Sequence, residues 1–297
     1  MEKIFEGVAT ALYTPFTNDG IDFNHFDFLI DYQLKSKIDA LVFLGTTGES
    51  PTVTRTERTE IIKFAVSRCN GKIPVIIGTG SNDTKTAIEL TKEAYELGAD
   101  CALIVTPYYN RCEQEGLFLH YKEICSNVNL PIILYNVPKR TGVNIETNTI
   151  EKLLKIKNIV GLKEANSDKK HVDKIFENFK YNLNIYCGND HLNFYFLNCG
   201  AHGTISVASN VIPLKIKEFI SNFKMFYYNK ARSVNDELIP FYEALQSMIN
   251  PIPVKAFAEI IFGRKQIFRL PLNRPNDNYF EYLKTILTKL KYDELGG

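Results

Sequence analysis

A chain of 297 residues can hold one large domain or two small ones, and 45% hydrophobic with 23% charged residues is a globular balance. Its 35 basic residues stand against 34 acidic ones, a net charge of +1, which leaves no electrostatic footprint for nucleic acid or an anionic membrane.

Ile4 to Tyr13 alternates loosely and stops at Thr14-Pro15, as a strand ending in a turn would. Phe26, Leu29, Ile30, Leu34 and Ile38 recur at helical spacing. Ala40 to Leu44 reads as a strand, and Gly45-Thr46-Thr47-Gly48-Glu49-Ser50 follows it. The same order then repeats. A helix is expected over 55–69, capped by Thr54, then a strand over 73–79 and a helix over 83–97. A strand over 101–106 ends in Pro107-Tyr108-Tyr109, with a helix over 114–126. Strand 131–135 precedes helix 146–156, strand 159–163 precedes helix 168–178, strand 183–187 precedes helix 190–198, and 203–207 is the last strand.

Eight strands in β-α order, at a spacing of roughly 25–35 residues, match βαβ units. Bare apolar strands without polar alternation imply burial on both faces. An open doubly wound sheet and a closed (β/α)8 TIM barrel both satisfy this, and eight units favour the barrel. The barrel is placed at 1–225. The remainder, 226–297, is expected to be a C-terminal helical extension packed on its side, with no catalytic chemistry of its own. The longest stretch without Lys, Arg, Asp or Glu, His191 to Leu214, carries three Asn, two His, two Gly, two Ser and a Thr, so no membrane span is expected there. The start, Met1-Glu2-Lys3-Ile4, has no charged leader before an apolar run. Six cysteines without a CxxC pair suit reduced thiols in a cytoplasmic protein better than a disulfide frame or zinc site.

Ile159-Val160-Gly161-Leu162-Lys163-Glu164-Ala165 is an apolar strand with a lysine near its end. A lysine is rarely buried without a partner or a task. Desolvation favours a neutral amine, the form that attacks a carbonyl to make a Schiff base. From this strand alone, a head group that reaches water or pairs with a carboxylate is the favoured reading. In a parallel barrel the active site lies at the C-terminal strand ends, and the unusual residues fall there. The Gly45–Gly48 loop offers hydroxyls and N–H groups for a carboxylate or phosphate, or is an ordinary capped turn. It is not a P-loop, and Gly78-Thr79-Gly80 lacks the third glycine of a dinucleotide fingerprint. Tyr108, Tyr109 and Tyr135 are either packed phenols or proton carriers. Parity puts Lys163, Gly161 and Ile159 on one face, and Tyr135, Ile133 and Pro131 likewise. Arg140 is a fork-shaped donor suited to a carboxylate, or a surface ion-pair partner. His171 and His202 lack metal-ligand spacing, so no metal is expected.

Four motifs taken together, Gly45–Ser50, Thr106-Pro107-Tyr108-Tyr109-Asn110, Tyr135 to Gly142 and Gly161 to Ala165, resemble the dihydrodipicolinate synthases. These belong to the pyruvate-dependent class I aldolases, which also include N-acetylneuraminate lyase. The resemblance spans nearly the whole chain and extends to Asn250–Lys255. It implies a (β/α)8 barrel, no metal or organic cofactor, and Lys163 as the Schiff-base lysine for pyruvate. It further implies that Tyr135 shuttles protons and that Thr46 links it to Tyr109, supplied by a neighbouring subunit. Thr46 and Thr47 would hold the pyruvate carboxylate, and Arg140 would receive the carboxylate of aspartate semialdehyde. Gly188 and Ile205 would contribute backbone contacts. A homo-oligomer, either a dimer or a dimer of dimers, is implied. Arginine at 140 favours a small charged aldehyde over the sugar taken by N-acetylneuraminate lyases, although another pyruvate-dependent aldolase, such as one for 2-keto-3-deoxy sugar acids, and a non-catalytic carboxylate-binding barrel remain as alternatives. Where lysine-inhibited members carry two histidines and a glutamate, this chain has Arg55, Arg58 and Thr86, while Ser50, Asn82 and Tyr108 match. Weak or absent inhibition by lysine is therefore expected.

Overall fold

The computed structural model describes residues 3–290. Two residues of the expected barrel segment and the last seven of the expected extension lie outside the described residues. Eight strands, β1 (Gly7–Ala11), β2 (Ala40–Phe43), β3 (Val75–Gly78), β4 (Cys101–Val105), β5 (Ile132–Asn136), β6 (Ile159–Glu164), β7 (Asn184–Cys187) and β8 (Gly203–Ser206), close in sequence order into a parallel barrel. Helices follow β1 to β7 in turn, with two after β5. They are α1 (Phe23–Lys35), α2 (Arg55–Cys69), α3 (Thr84–Glu96), α4 (Gln114–Asn127), the single turn α5 (Pro138–Thr141), α6 (Thr147–Leu153), α7 (Lys169–Phe179) and α8 (Asn193–Cys199). The (β/α)8 architecture expected from the pattern is therefore the one observed. Beyond β8, α9 (Pro213–Lys224) is followed by α10 (Tyr228–Gln246), α11 (Ile252–Phe262) and α12 (Asp277–Lys289). Among the described residues no helix is long and apolar enough to cross a membrane.

The helix starts follow local chemistry. Thr54 closes a capping box with Glu57 at the start of α2, and Asp22, Asp83 and Asp168 cap α1, α3 and α7 by accepting backbone N–H groups. Alternate strand residues divide into two cores. Outward residues such as Val8, Leu41, Ile104, Leu134, Leu162 and Ile185 pack beneath the helices. Ala9, Ala11, Ala40, Val42, Ile76, Leu103, Ile133, Tyr135, Tyr186 and Ile205 fill the barrel. Phe5 stacks on Tyr186 at 4.2 Å and accepts its hydroxyl proton through a backbone carbonyl at 2.9 Å, filling the barrel interior around Tyr186.

The expected parity needs one correction. A register irregularity between Ile132 and Ile133 sets Ile132 opposite Ile159 but Ile133 opposite Gly161. Ile159 consequently packs outward and Val160 joins the inner core, while Gly161 and Lys163 keep their inward places. The irregularity re-aims side chains along β6 without displacing its C-terminal end, as bulges do.

Candidate active site

The site forms at the C-terminal ends of β5 and β6, where Tyr135 stands opposite Lys163 and Asn136 opposite Glu164 in register. Lys163 is 5% exposed and its Nζ lies 4.4 Å from the centroid of the Tyr135 ring. The lysine is buried at its strand end, beside a phenol. On the outer face, the Asn136 side chain donates to both carboxylate oxygens of fully buried Glu164, at 3.1 and 2.9 Å, and Glu164 also accepts from the Asn166 N–H at 2.7 Å. Asn136 and Glu164 directly follow Tyr135 and Lys163, so this tie fixes the pairing that sets the phenol beside the amine. Inside the barrel, Gly161 lies against the Asn184 carbonyl, the Tyr186 ring and Ile133, and a methyl there would meet them at 3.0–3.3 Å. Close packing, rather than open space, lies beneath the lysine stem.

Gly188 follows β7, and its N–H donates to the Glu164 carbonyl at 2.8 Å. A Cβ at this position would sit 3.1 Å from Lys163 Cε and 2.9 Å from the Ala165 methyl. Ile205 is buried in β8 among the inner residues, opposite Ala9.

The Thr46–Thr47 turn follows β2. Leu44 and Glu49 bracket it with φ of 56° and 53°, left-handed values that bulky side chains seldom adopt. The Glu49 N–H donates to the Thr46 carbonyl at 3.2 Å, and Gly48 packs so closely on Leu44 that a Cβ would meet backbone at 3.0 Å. Thr46 is partly exposed and Thr47 is buried. Arg140, in α5, is exposed, and its Nη2 donates to the Asn250 carbonyl at 3.3 Å. The Asn250 amide in turn donates to the Thr47 hydroxyl at 3.0 Å. Because the Thr47 oxygen accepts that bond, its own proton is free to donate to a ligand.

Tyr109 is the residue one chain does not bring to the site. It is 92% exposed and holds φ +71°, which points a large apolar ring into solvent. Among the described residues no hydrogen bond joins Tyr135, Thr46 and Tyr109 within the chain.

Residues 250–255 of the C-terminal extension supply two contacts at the barrel mouth. Asn250 touches Thr47 and Arg140, as above. Lys255, in α11, is fully buried and pairs with Glu49 at 2.7 Å. Burial lowers the Lys255 amine and raises the Glu49 carboxyl, each shift opposed by the partner's charge. The sequence carries a signal for it: Lys255 interrupts the apolar run Ile252–Ala258, as Lys163 interrupts that of β6.

Comparison with known proteins shows the family. The Dihydrodipicolinate synthetase family matches residues 4–290. The chain belongs to the dihydrodipicolinate synthetase family. Among its relatives, the 4-hydroxy-tetrahydrodipicolinate synthase of Kosmotoga olearia is 44% identical over 284 residues, covering 95% of this chain and 97% of the relative. That of Alkaliphilus oremlandii is 45% identical over 269 residues, covering 91% and 93%. The crystal structure of dihydrodipicolinate synthase from Thermotoga maritima superposes with a TM-score of 0.95 at 41% identity, covering 97% of this chain and 99% of that one.

Proposed function

We propose that this chain condenses pyruvate with L-aspartate 4-semialdehyde to give 4-hydroxy-tetrahydrodipicolinate, a step of lysine and diaminopimelate biosynthesis in the cytoplasm. The observation that carries the proposal is the buried Lys163 amine over Tyr135 at the open end of the barrel. The Lys163 amine adds to the pyruvate carbonyl and water leaves, giving an imine. The protonated imine draws electrons, so a methyl proton departs and an enamine forms. Its terminal carbon attacks the semialdehyde carbonyl, and the resulting alkoxide takes up a proton. The amine of the second substrate then adds to the imine carbon, expels Lys163 and closes the ring. No organic cofactor or metal enters these steps. Each needs a group that both gives and accepts a proton, the role assigned to Tyr135 with Thr46.

Thr46 and Thr47 hold the pyruvate carboxylate, and the Asn250 bond leaves the Thr47 proton available for it. Gly188 and Ile205 present backbone beside the imine. Arg140 is exposed at the rim, where a guanidinium fork can take the carboxylate of an incoming charged aldehyde. Tyr109, solvent-exposed on one chain, enters the relay of a second copy, so the working unit is a homodimer or a dimer of dimers.

The same frame favours a weak response to lysine. Arg58 is buried, donates to the Gly78 carbonyl at 3.0 Å and faces Glu93, which Arg55 also approaches at 3.6 Å. The Thr86 hydroxyl is already engaged with Asp83 at 2.6 Å. An amino-acid side chain with a terminal ammonium would meet two cations here, and Glu93, the carboxylate they face, is already shared between them.

The test is a substrate comparison with pyruvate fixed and the aldehyde varied. Aspartate semialdehyde should react at least about 10²-fold faster than N-acetylmannosamine or a neutral sugar aldehyde, the span expected when a site pairs a carboxylate. Preference for a neutral sugar aldehyde would overturn the assignment.

A further inference from the structure

The turn that receives the pyruvate carboxylate is built from strained backbone. Leu44 and Glu49, both outside glycine's freedom, hold left-handed conformations on either side of it. Such conformations persist only where the surroundings over-determine them. The surroundings here come from segments distant in sequence. Thr14, after β1, donates its hydroxyl to the Gly48 carbonyl at 2.7 Å. Asn250 donates to the Thr47 hydroxyl. Glu49 is gripped by Lys255, whose ammonium also donates to the Ile267 carbonyl at 2.6 Å and the Thr14 carbonyl at 3.4 Å. Three protons meet three acceptors, so the buried ammonium is fully satisfied and its position is fixed. The rings of Phe16 and Phe268 lie 4.6 and 4.9 Å from the same nitrogen and shut out water. A buried pair of this kind is a poor source of stability, so its role is sought in the geometry it fixes.

We propose that Lys255 and Glu49 are positioning residues. They form a latch through which the C-terminal helices hold the Thr46–Thr47 turn in the shape that binds pyruvate. This rests on the proposed imine chemistry at Lys163. The latch touches the turn and leaves Arg140 alone, so it acts on the first substrate and spares the second.

Two variants test it. Glu49→Asp keeps both buried charges and withdraws the carboxylate by one methylene, about 1.5 Å. The double variant Glu49→Leu/Lys255→Met removes the tie without leaving a lone buried charge. In each, the KM for pyruvate should rise, at least threefold in Glu49→Asp and tenfold in the double variant. The KM for aspartate semialdehyde should move less than twofold. A folded Glu49→Asp variant with unchanged pyruvate KM overturns the latch, as does a double variant whose two KM values rise by the same factor. If the double variant does not fold, Glu49→Asp decides alone. Wild-type protein must also yield a borohydride-trapped pyruvate adduct. Failure there overturns the imine chemistry and the latch with it, whereas trapping with unperturbed variants overturns the latch alone.

Discussion

Gly188→Ala perturbs the nucleophile through a single methyl. The added carbon would sit 2.9 Å from the Ala165 methyl, and 3.1 Å from both the Glu164 carbonyl oxygen and Lys163 Cε. Carbon–carbon contacts relax to about 3.5 Å or more, so neighbouring groups must shift by about 0.4–0.6 Å. The Glu164 oxygen is fixed by the Gly188 N–H itself, and Ala165 by the β5–β6 pairing. The Lys163 stem is the softest of the three. Gly188 lies outside the left-handed region, so backbone strain adds nothing to the effect. Overpacking of this size costs about 1–3 kcal/mol of stability. The catalytic cost should be larger in proportion: misplacement of a reacting group by 1 Å can cost about 10²-fold, so half that displacement implies roughly tenfold in kcat/KM for pyruvate. Steady-state condensation rates with thermal melting in parallel read both quantities. A stable Gly188→Ala protein with wild-type kcat/KM would refute the placement of Gly188 against the lysine stem.

Other outcomes follow from the same geometry. Asn136→Ala removes the one amide nitrogen that donates to both oxygens of the buried Glu164 carboxylate, and the penalty of about 3 kcal/mol for such a loss should lower the melting temperature by about 5–10 °C; an unchanged melting curve would show that the Asn136–Glu164 tie is not needed. Burial holds His25 and His120 neutral, each down to about pH 4 in the folded chain. The unfolded chain binds those protons near pH 6.5, so stability present above that pH is lost as pH falls toward 4, by about 2–3 kcal/mol for each histidine. Denaturant titrations across pH 4–7 should show this slope, and His25→Gln should reduce it; a flat profile would contradict neutral burial. Mixing Tyr109→Phe subunits with Lys163→Ala subunits should restore activity that neither variant has alone, whereas no complementation would place Tyr109 outside its neighbour's site. Lysine should leave the rate unaffected up to about 1 mM, an affinity already weaker than about 4 kcal/mol; inhibition below that would assign Arg58 and Arg55 to a working effector pocket.

The barrel was legible because its strands are buried on both faces and read as bare apolar runs between amphipathic helices. Ile132–Asn136 and Cys101–Val105 needed no knowledge of their neighbours. Short pieces were harder. The single turn Pro138–Thr141, which carries Arg140, has too few residues to show a helical period. The register irregularity that sends Ile159 outward depends on the partner strand, and no alternation within β6 encodes it. Lys163 could be suspected from its own strand, but the Tyr135 ring beside it is set by pairing between β5 and β6. The Lys255–Glu49 contact joins positions about 200 residues apart in sequence, so only a fold could bring them together. Tyr109 shows the converse limit, since its residue type and turn were readable while its working surroundings belong to a second copy.

The most direct test of the central claim is reduction of the wild-type protein with borohydride in the presence of pyruvate, followed by peptide mass analysis. The peptide containing Lys163 should gain one carboxyethyl group, and Lys163→Ala protein should gain none. An unmodified Lys163 peptide, or an adduct on another lysine, would contradict the assignment of Lys163 as the nucleophile.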